Sequence, residues 1–173
     1  DAGGVALRLA DADAVRAAVE AMAAKPLIAA ANVDGWLVEE MMPSGREIVI
    51  GGYRDPQFGP MIMVGLGGIF VEVLRDISFR ICPIEAKDAE EMLAELKGHA
   101  LLDGARGEAG IDKAALIDIM LRIGGAGGLL MRHQADIAEL DLNPVIATQN
   151  GAVAVDARVI LAPQAEADTS SEA

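Results

Sequence analysis

The chain has 173 residues, 53% of them hydrophobic but only 3% aromatic, and a formal net charge of −13. That acidity argues against a nucleic-acid or anionic-membrane surface. The lone cysteine, Cys82, excludes an intrachain disulfide framework and suits a reducing, cytoplasmic setting.

The low aromatic content means that the core has to be built from Val, Ile, Leu, Met and Ala. No basic segment precedes an apolar run near the N-terminus, so no secretory signal is legible. The longest uncharged stretch, residues 56–71, is interrupted by glycine and proline and is too short to span a bilayer. Opening on Asp1-Ala2-Gly3-Gly4-Val5 without an initiator Met, the sequence reads as a piece of a longer protein.

In chain order, residues 5–9 read as a short strand. Asp11 is placed to cap a helix whose apolar face is Val15, Ala18, Val19 and Met22, ended by Lys25-Pro26. Residues 35–42 read as a strand with an acidic end, stopped by Pro43. A second strand follows over 47–54, rich in β-branched residues. Asp55-Pro56-Gln57-Phe58-Gly59 is a turn, and 60–64 returns antiparallel to it. Gly65-Leu66-Gly67-Gly68 interrupts, and strands resume at 69–74 and 77–81.

Helical spacing returns over 88–97, with Ala89, Met92, Leu93 and Leu96 on one face, and over about 112–123. Between these helices lies a glycine-rich loop, 103–110, holding Arg106, which could bind an anion or simply brace the loop. Residues 137–142, 145–148 and 152–160 are the closing strands. The small, acidic segment 162–173 reads as a disordered tail after a domain spanning 1–161. Short turns between strands, with helices set apart, predict an α+β fold with a largely antiparallel sheet.

Chemistry concentrates in Glu139-Leu140-Asp141-Leu142-Asn143-Pro144 and in Asp156. In a two-residue hairpin centred on Asn150-Gly151, residue 145 lies opposite Asp156, and Asn143 is its diagonal neighbour, roughly 7–8 Å away. Period-two alternation then puts Glu139, Asp141, Asn143 and Asp156 on one face, with Leu140, Leu142, Ile146 and Val155 on the other. An amide oxygen and one or two carboxylates suit Mg²⁺ and leave room for phosphate oxygens. The same pattern also describes a solvated strand face beside an ordinary hairpin.

Glu39 and Glu47 bracket a strand–turn–strand, where a carboxylate could accept from ribose hydroxyls and free backbone could meet an adenine edge. Surface acid on a sheet is the plainer alternative. Gly67 and Gly68 permit close approach of backbone N–H groups to a phosphate, as would any tight turn. The segment lacks the Lys and Ser/Thr of a P-loop. His99 and His133 have no partner at ligand spacing, Cys82 reads as an inert thiol, and no Ser-His-Asp set is arguable.

Taken together, these segments resemble the ATP-grasp domain of NDP-forming acyl-CoA synthetases. That family includes ADP-forming acetate–CoA ligases and is related to the succinyl-CoA ligase beta subunit. The stretches that carry the resemblance are Gly3-Gly4-Val5, Val38-Glu39-Glu40-Met41, Gly45-Arg46-Glu47, Arg54 through Pro60, Gly65 through Glu72, Arg106-Gly107, Glu139 through Pro144 and Asp156-Ala157-Arg158.

The resemblance implies that Glu39, Glu40 and Met41 present backbone to adenine and that Glu47 lines the nucleotide site. It implies that Gly67 and Gly68 turn near the phosphates. Asn143 and Asp156 are implied as Mg²⁺ ligands, with Asp141 an acidic neighbour. It further implies ATP or ADP as substrate, and a CoA-binding or ligase domain as partner in the same or another chain.

The family's reaction passes through a phosphohistidine. Its His-Lys pair lies upstream of the Gly-Gly-Val, and nothing here matches a phosphohistidine. The expected role is therefore the adenine side and metal half of an ADP-forming acid–CoA ligase, inactive as an isolated fragment. Two alternatives are a binding or regulatory ATP-grasp module fused to a lysine acetyltransferase and an acidic domain with no nucleotide site.

Overall fold

The structure is a computed structural model and describes residues 2–68, 74–104 and 109–163. The chain divides between Pro43 and Ser44 into two compact units.

In the first unit, Asp11 caps α1 (Ala12–Ala23) by accepting from Ala14 N at 2.8 Å. This is the expected use of an Asp at the start of a helix, where the first N–H groups lack partners. A short α2 (Pro26–Ala29) follows, with proline in its first turn, where a missing N–H costs nothing. Residues 5–9 and 35–42, expected as strands, are in no strand. A strand exists only by pairing, and the described residues of this unit supply no ladder.

The second unit is built on a six-stranded antiparallel sheet. Its strands are β1 (Arg46–Asp55), β2 (Gly59–Leu66), β3 (Ile77–Ile81), β4 (Ile137–Thr148), β5 (Gly151–Ala154) and β6 (Ala157–Leu161). The order is β3-β2-β1-β4-β5, with β6 pairing a separate part of β4. The β1–β2 hairpin turns where expected. Asp55 Oδ1 accepts from Gln57 N at 2.8 Å and Phe58 N at 2.9 Å, a side-chain turn that Gly59 completes at φ +77°.

Three helices cover one face of the sheet: α3 (Ala86–Glu95), α4 (Lys113–Gly124) and α5 (Leu129–Arg132). Glu85 and Asp88 form a capping box for α3, and Asp112 caps α4 by accepting from Ala115 N at 3.0 Å. Ile48, Ile50, Ile62, Val64, Leu66, Leu140, Leu142 and Val145 from the sheet meet Met92, Leu96, Leu116, Met120 and Leu130 from the helical layer. Each such side chain contributes roughly 1.5–3 kcal/mol by leaving water. Leu130 lies so close to β1 that a Cβ at Gly52 would come within 2.5 Å of its Cδ1.

Two polar ties fix β3. Asp76, 3% exposed, accepts from Lys97 N at 2.7 Å and Gly98 N at 2.8 Å, which satisfies its buried carboxylate. Arg80 and Ser78 both reach Glu95 on α3, at 2.5 and 2.6 Å. The hydrogen bond from Arg80, with that from Ser78, holds the Glu95 carboxyl down at about 2.

The remaining differences from the sequence reading lie in this unit. Gly65 and Leu66 continue β2 instead of interrupting it, because Gly65 pairs with both Val49 and Ile77. Residues 137–148 form one strand, not two. Residues 152–160 form two strands, not one, with Asp156 in the break between them. The strand expected at 69–74 falls mostly on 69–73, and Arg106 and the tail from 164 also lie outside the described residues. No helix is long and apolar enough to cross a membrane among the described residues.

Candidate functional site

The other face of the sheet is the one that α3, α4 and α5 do not cover. Its composition follows from register. Phe79, Met63, Gly51, Asp141 and Arg158 are successive cross-strand partners on β3, β2, β1, β4 and β6. Directly opposed residues of antiparallel strands share a face, so these five form one row. With Tyr53 and Glu139 they line a shallow recess of about 290 Å³. The Tyr53 and Phe79 rings meet edge to face, centroids 6.2 Å apart.

One rung along lie the predicted metal residues. Asn143 N donates to Asp156 O at 3.2 Å, and Val155 N to Pro144 O at 2.9 Å. Asn143 is therefore directly opposite Asp156, closer than the diagonal relation expected. The hairpin explains the change. Thr148 pairs with Gly151, so the turn residues are Gln149 and Asn150, and Val145 faces Ala154. Thr148 Oγ1 sets this turn by accepting from Asn150 N at 3.1 Å and donating to Gly151 O at 3.3 Å.

Pro144 has no N–H for the ladder, and the β1–β4 register slips by one residue between the Ile48–Val145 and Ile50–Leu142 pairs. Leu142 and Val145 both enter the core across the slip, leaving Asn143 exposed. The slip also moves Ile146 off the core face, and Val155 is exposed at 47%. Neither is the core residue that uninterrupted alternation predicts.

Glu47 alternates onto the open face with Gly51 and Tyr53. Beside it sits the glycine turn. Gly67 N donates to Glu47 O at 2.7 Å. A Cβ on Gly67 would stand 2.7 Å from Glu47 Cβ, so only glycine fits. Gly68 has φ +60°, the left-handed region glycine enters freely. Its position is 3.7 Å, measured from an added Cβ, from Glu47 Oε2.

The second unit thus brings Glu47, Gly67, Gly68, Asp141, Asn143 and Asp156 to one face. Glu39, Glu40 and Met41 are exposed residues of the first unit. The sequence reading did not single out Tyr53, Met63 or Phe79, whose signal is their parity on paired strands. It named Arg158 only as part of a motif.

The face is acidic: among the described strand residues that alternate onto it, Glu47, Glu139 and Asp141 stand against one cation, Arg158, and Asp156 joins them from the break between β5 and β6. Asp156 Oδ1 accepts from Ala157 N at 2.8 Å, which leaves its other oxygen for a ligand. No group of three His, Cys, Asp or Glu side chains among the described residues is arranged to hold a metal by itself. An amide oxygen and carboxylates too few to enclose an ion fit Mg²⁺, which keeps several positions for water and substrate phosphates. His99 and His133 lie elsewhere. His99 Nδ1 is 3.0 Å from Leu96 O, and His133 Nδ1 is 3.5 Å from Asp136. Cys82 is buried, and burial pushes its thiol up to about 11.

The second unit is thus an α+β fold whose largely antiparallel sheet has helices on one face and these polar residues on the other. A family model described as an ATP-grasp domain matches residues 1–161, and the chain belongs to that family.

The relatives narrow this further. The chain is 43% identical over 163 residues to the subunit beta of ADP-forming acetate–CoA ligase I from Pyrococcus furiosus, covering 93% of this chain and 68% of that one. It is 41% identical over 162 residues to ADP-forming acetate–CoA ligase I of Archaeoglobus fulgidus, but spans only 23% of that longer protein.

Among solved structures, the dinucleotide-forming acetyl-coenzyme A synthetase 1 of Ca. Korarchaeum cryptofilum superposes with a TM-score of 0.80 at 43% identity. The match covers 94% of this chain and 70% of that one. That structure holds coenzyme A and Mg-AMPPCP, with a phosphohistidine segment pointing towards the nucleotide binding site.

Proposed function

We propose that this chain supplies the metal- and phosphate-binding half of the nucleotide site in an ADP-forming acid–CoA ligase. The observation that carries the proposal is the direct opposition of Asn143 and Asp156 on the open sheet face, in line with Asp141. Asn143 and Asp156 would hold Mg²⁺, and Asp141 would lie one rung beyond as an acidic neighbour. Bound there, the ion would neutralise phosphate charge on a face that otherwise repels a nucleotide.

Glu47 accepts from the nucleotide's ribose side, and Gly67 and Gly68 admit its phosphates closely. Glu39, Glu40 and Met41 offer exposed backbone to the adenine edge. The module spans 1–161, with the tail after it. Its partner is a CoA-binding or ligase portion, in the same chain or another, that carries the phosphohistidine segment. A reducing, cytoplasmic setting suits the unpaired Cys82.

The relatives reported above are ligases, which favours this reading over a module fused to an acetyltransferase. Calorimetry on the complete natural protein tests it. Asp156→Asn should abolish Mg-dependent binding of ADP while leaving the melting temperature within a few degrees, because Asp156 is exposed and its side chain bonds its neighbour's N–H, which an amide oxygen can also accept. Undiminished Mg·ADP affinity in that variant would sink the proposal. So would a loss of affinity that merely tracks a loss of stability.

A further inference from the structure

We infer that Arg158 is a further catalytic residue, which contacts the γ-phosphoryl group during its transfer. The inference rests on the metal-site reading above. Four observations carry it.

First, Arg158 stands opposite Asp141 and lines the recess one rung from Asn143 and Asp156. Second, it follows Asp156 by two residues on the same face, a rise of roughly 7 Å that a flexible arginine side chain spans easily. Third, it is the one positive charge among the described strand residues of that face. The other three strand arginines alternate away: Arg80 is bound to Glu95, Arg54 donates to the carbonyls of Gln134 and Ala135, and Arg46 adjoins Glu47 on the opposite alternation.

Fourth, its tether is loose. Arg158 Nη2 is 3.9 Å from Glu139 Oε2, well beyond the roughly 2.7–2.9 Å of a charge-assisted hydrogen bond, and both side chains are more than half exposed. The guanidinium is thus held near the site without being used up by its partner.

Charge supplies the need. Mg·ATP keeps a net negative charge and faces four carboxylates here, so a second cation has to offset what the metal leaves. In the transfer, the lone pair of a neutral imidazole nitrogen on the phosphohistidine segment forms a bond to phosphorus. The bond from phosphorus to the β–γ bridging oxygen breaks, and its electron pair leaves on ADP. Arg158 neither gains nor loses a proton. Its forked N–H donors match the oxygens of the transferring group, on which charge is spread in the transition state.

Tyr53, Met63 and Phe79 line the same recess as Arg158, across the sheet from it.

The test uses the complete natural protein with Arg158→Gln, Arg158→Lys and Asp156→Asn. Affinities are measured by calorimetry for Mg·ADP and for a non-hydrolysable Mg·ATP analogue. Phosphoryl transfer from labelled ATP to the protein is followed by rapid quench, and melting is recorded in parallel. Arg158→Gln should leave Mg·ADP affinity within about 3-fold, weaken the ATP analogue more than ADP, and slow transfer about 100-fold. Arg158→Lys should recover at least about 10-fold of that rate, since it restores charge without the fork.

Transfer by Arg158→Gln within about 3-fold of wild type would overturn the inference. A uniform fall in both affinities, the rate and the melting temperature would also overturn it, by making Arg158 a structural strand pair. Asp156→Asn separates the two claims. If that variant binds Mg·ADP normally, the metal-site reading has failed. If it loses binding while Arg158→Gln transfers at full rate, only the role of Arg158 has failed.

Discussion

Replacing Gly67 by alanine tests the glycine turn and Glu47 together. The added Cβ would lie 2.7 Å from Glu47 Cβ and 2.9 Å from Glu47 O, against neighbours that cannot rotate away because one is backbone. Ordinary contact needs roughly half an ångström to an ångström more, so β1 must shift at Glu47 or the bond from Gly67 N to Glu47 O must stretch from 2.7 Å. Overpacking of this kind costs about 1–3 kcal/mol. For a unit of this size, that lowers the melting temperature by roughly 4–10 °C.

Because the displaced residue is Glu47 itself, Mg·ADP affinity should fall at a temperature where the variant is still fully folded. Gly59→Ala is the comparison. Its φ of +77° strains an alanine, but nothing lies within 4 Å of the new methyl. It should lower stability alone, because its hairpin lies at the far end of β1 from Glu47. The assays are thermal unfolding by circular dichroism and calorimetry at 20–25 °C. A Gly67→Ala protein that melts and binds like wild type would refute the packing argument. Equal loss of affinity in both variants would refute the link between Gly67 and the nucleotide.

Two further predictions concern groups outside the site. Glu95 is held at about 2, below an unfolded carboxyl, so it stabilises the fold above the unfolded value and loses that contribution as pH falls from about 5 towards 2. The melting temperatures of wild type and Glu95→Gln should differ at pH 7, draw together as pH falls from about 5, and meet only at or below about pH 2, and a constant gap across that range would contradict the assignment. Cys82, raised to about 11 by burial, stays a thiol at pH 8. It should react slowly with a disulfide reagent in the folded protein and quickly in urea; fast reaction without denaturant would show that the β3 end is more open than the packing implies.

How much of this was legible in the sequence depends on whether local chemistry fixed it. The caps of α1 and α4 are single aspartates beside apolar periodicity, and both helices form where those residues predict. The β1–β2 hairpin is likewise local, because Asp55 and Gly59 build its turn from their own atoms.

The β4–β5 register was not legible. Asn150-Gly151 is a strong hairpin signal, but the hydroxyl of Thr148 captures the turn and shifts the pairing by two residues. A shift of two preserves which face each residue occupies, so the sharing of one face by Asn143, Asp141 and Asp156 survived an incorrect turn. The slip at Pro144 is an odd shift, and there the alternation failed for Ile146. Residues 35–42 have strand-like composition, but strand formation depends on a partner that no local pattern supplies. Arg158 was hidden for another reason: only the pairing of β6 with β4 places it beside Asp141.

The central claim is that Asn143 and Asp156 share one divalent ion that carries a nucleotide's phosphates. Crystals of the complete natural protein grown with Mn²⁺ and ADP locate such an ion by its anomalous scattering. The account predicts one manganese peak between Asn143 Oδ1 and the free Asp156 carboxylate oxygen, roughly 2.0–2.4 Å from each, with a phosphate oxygen completing the shell. A bound nucleotide whose manganese touches neither residue would contradict it.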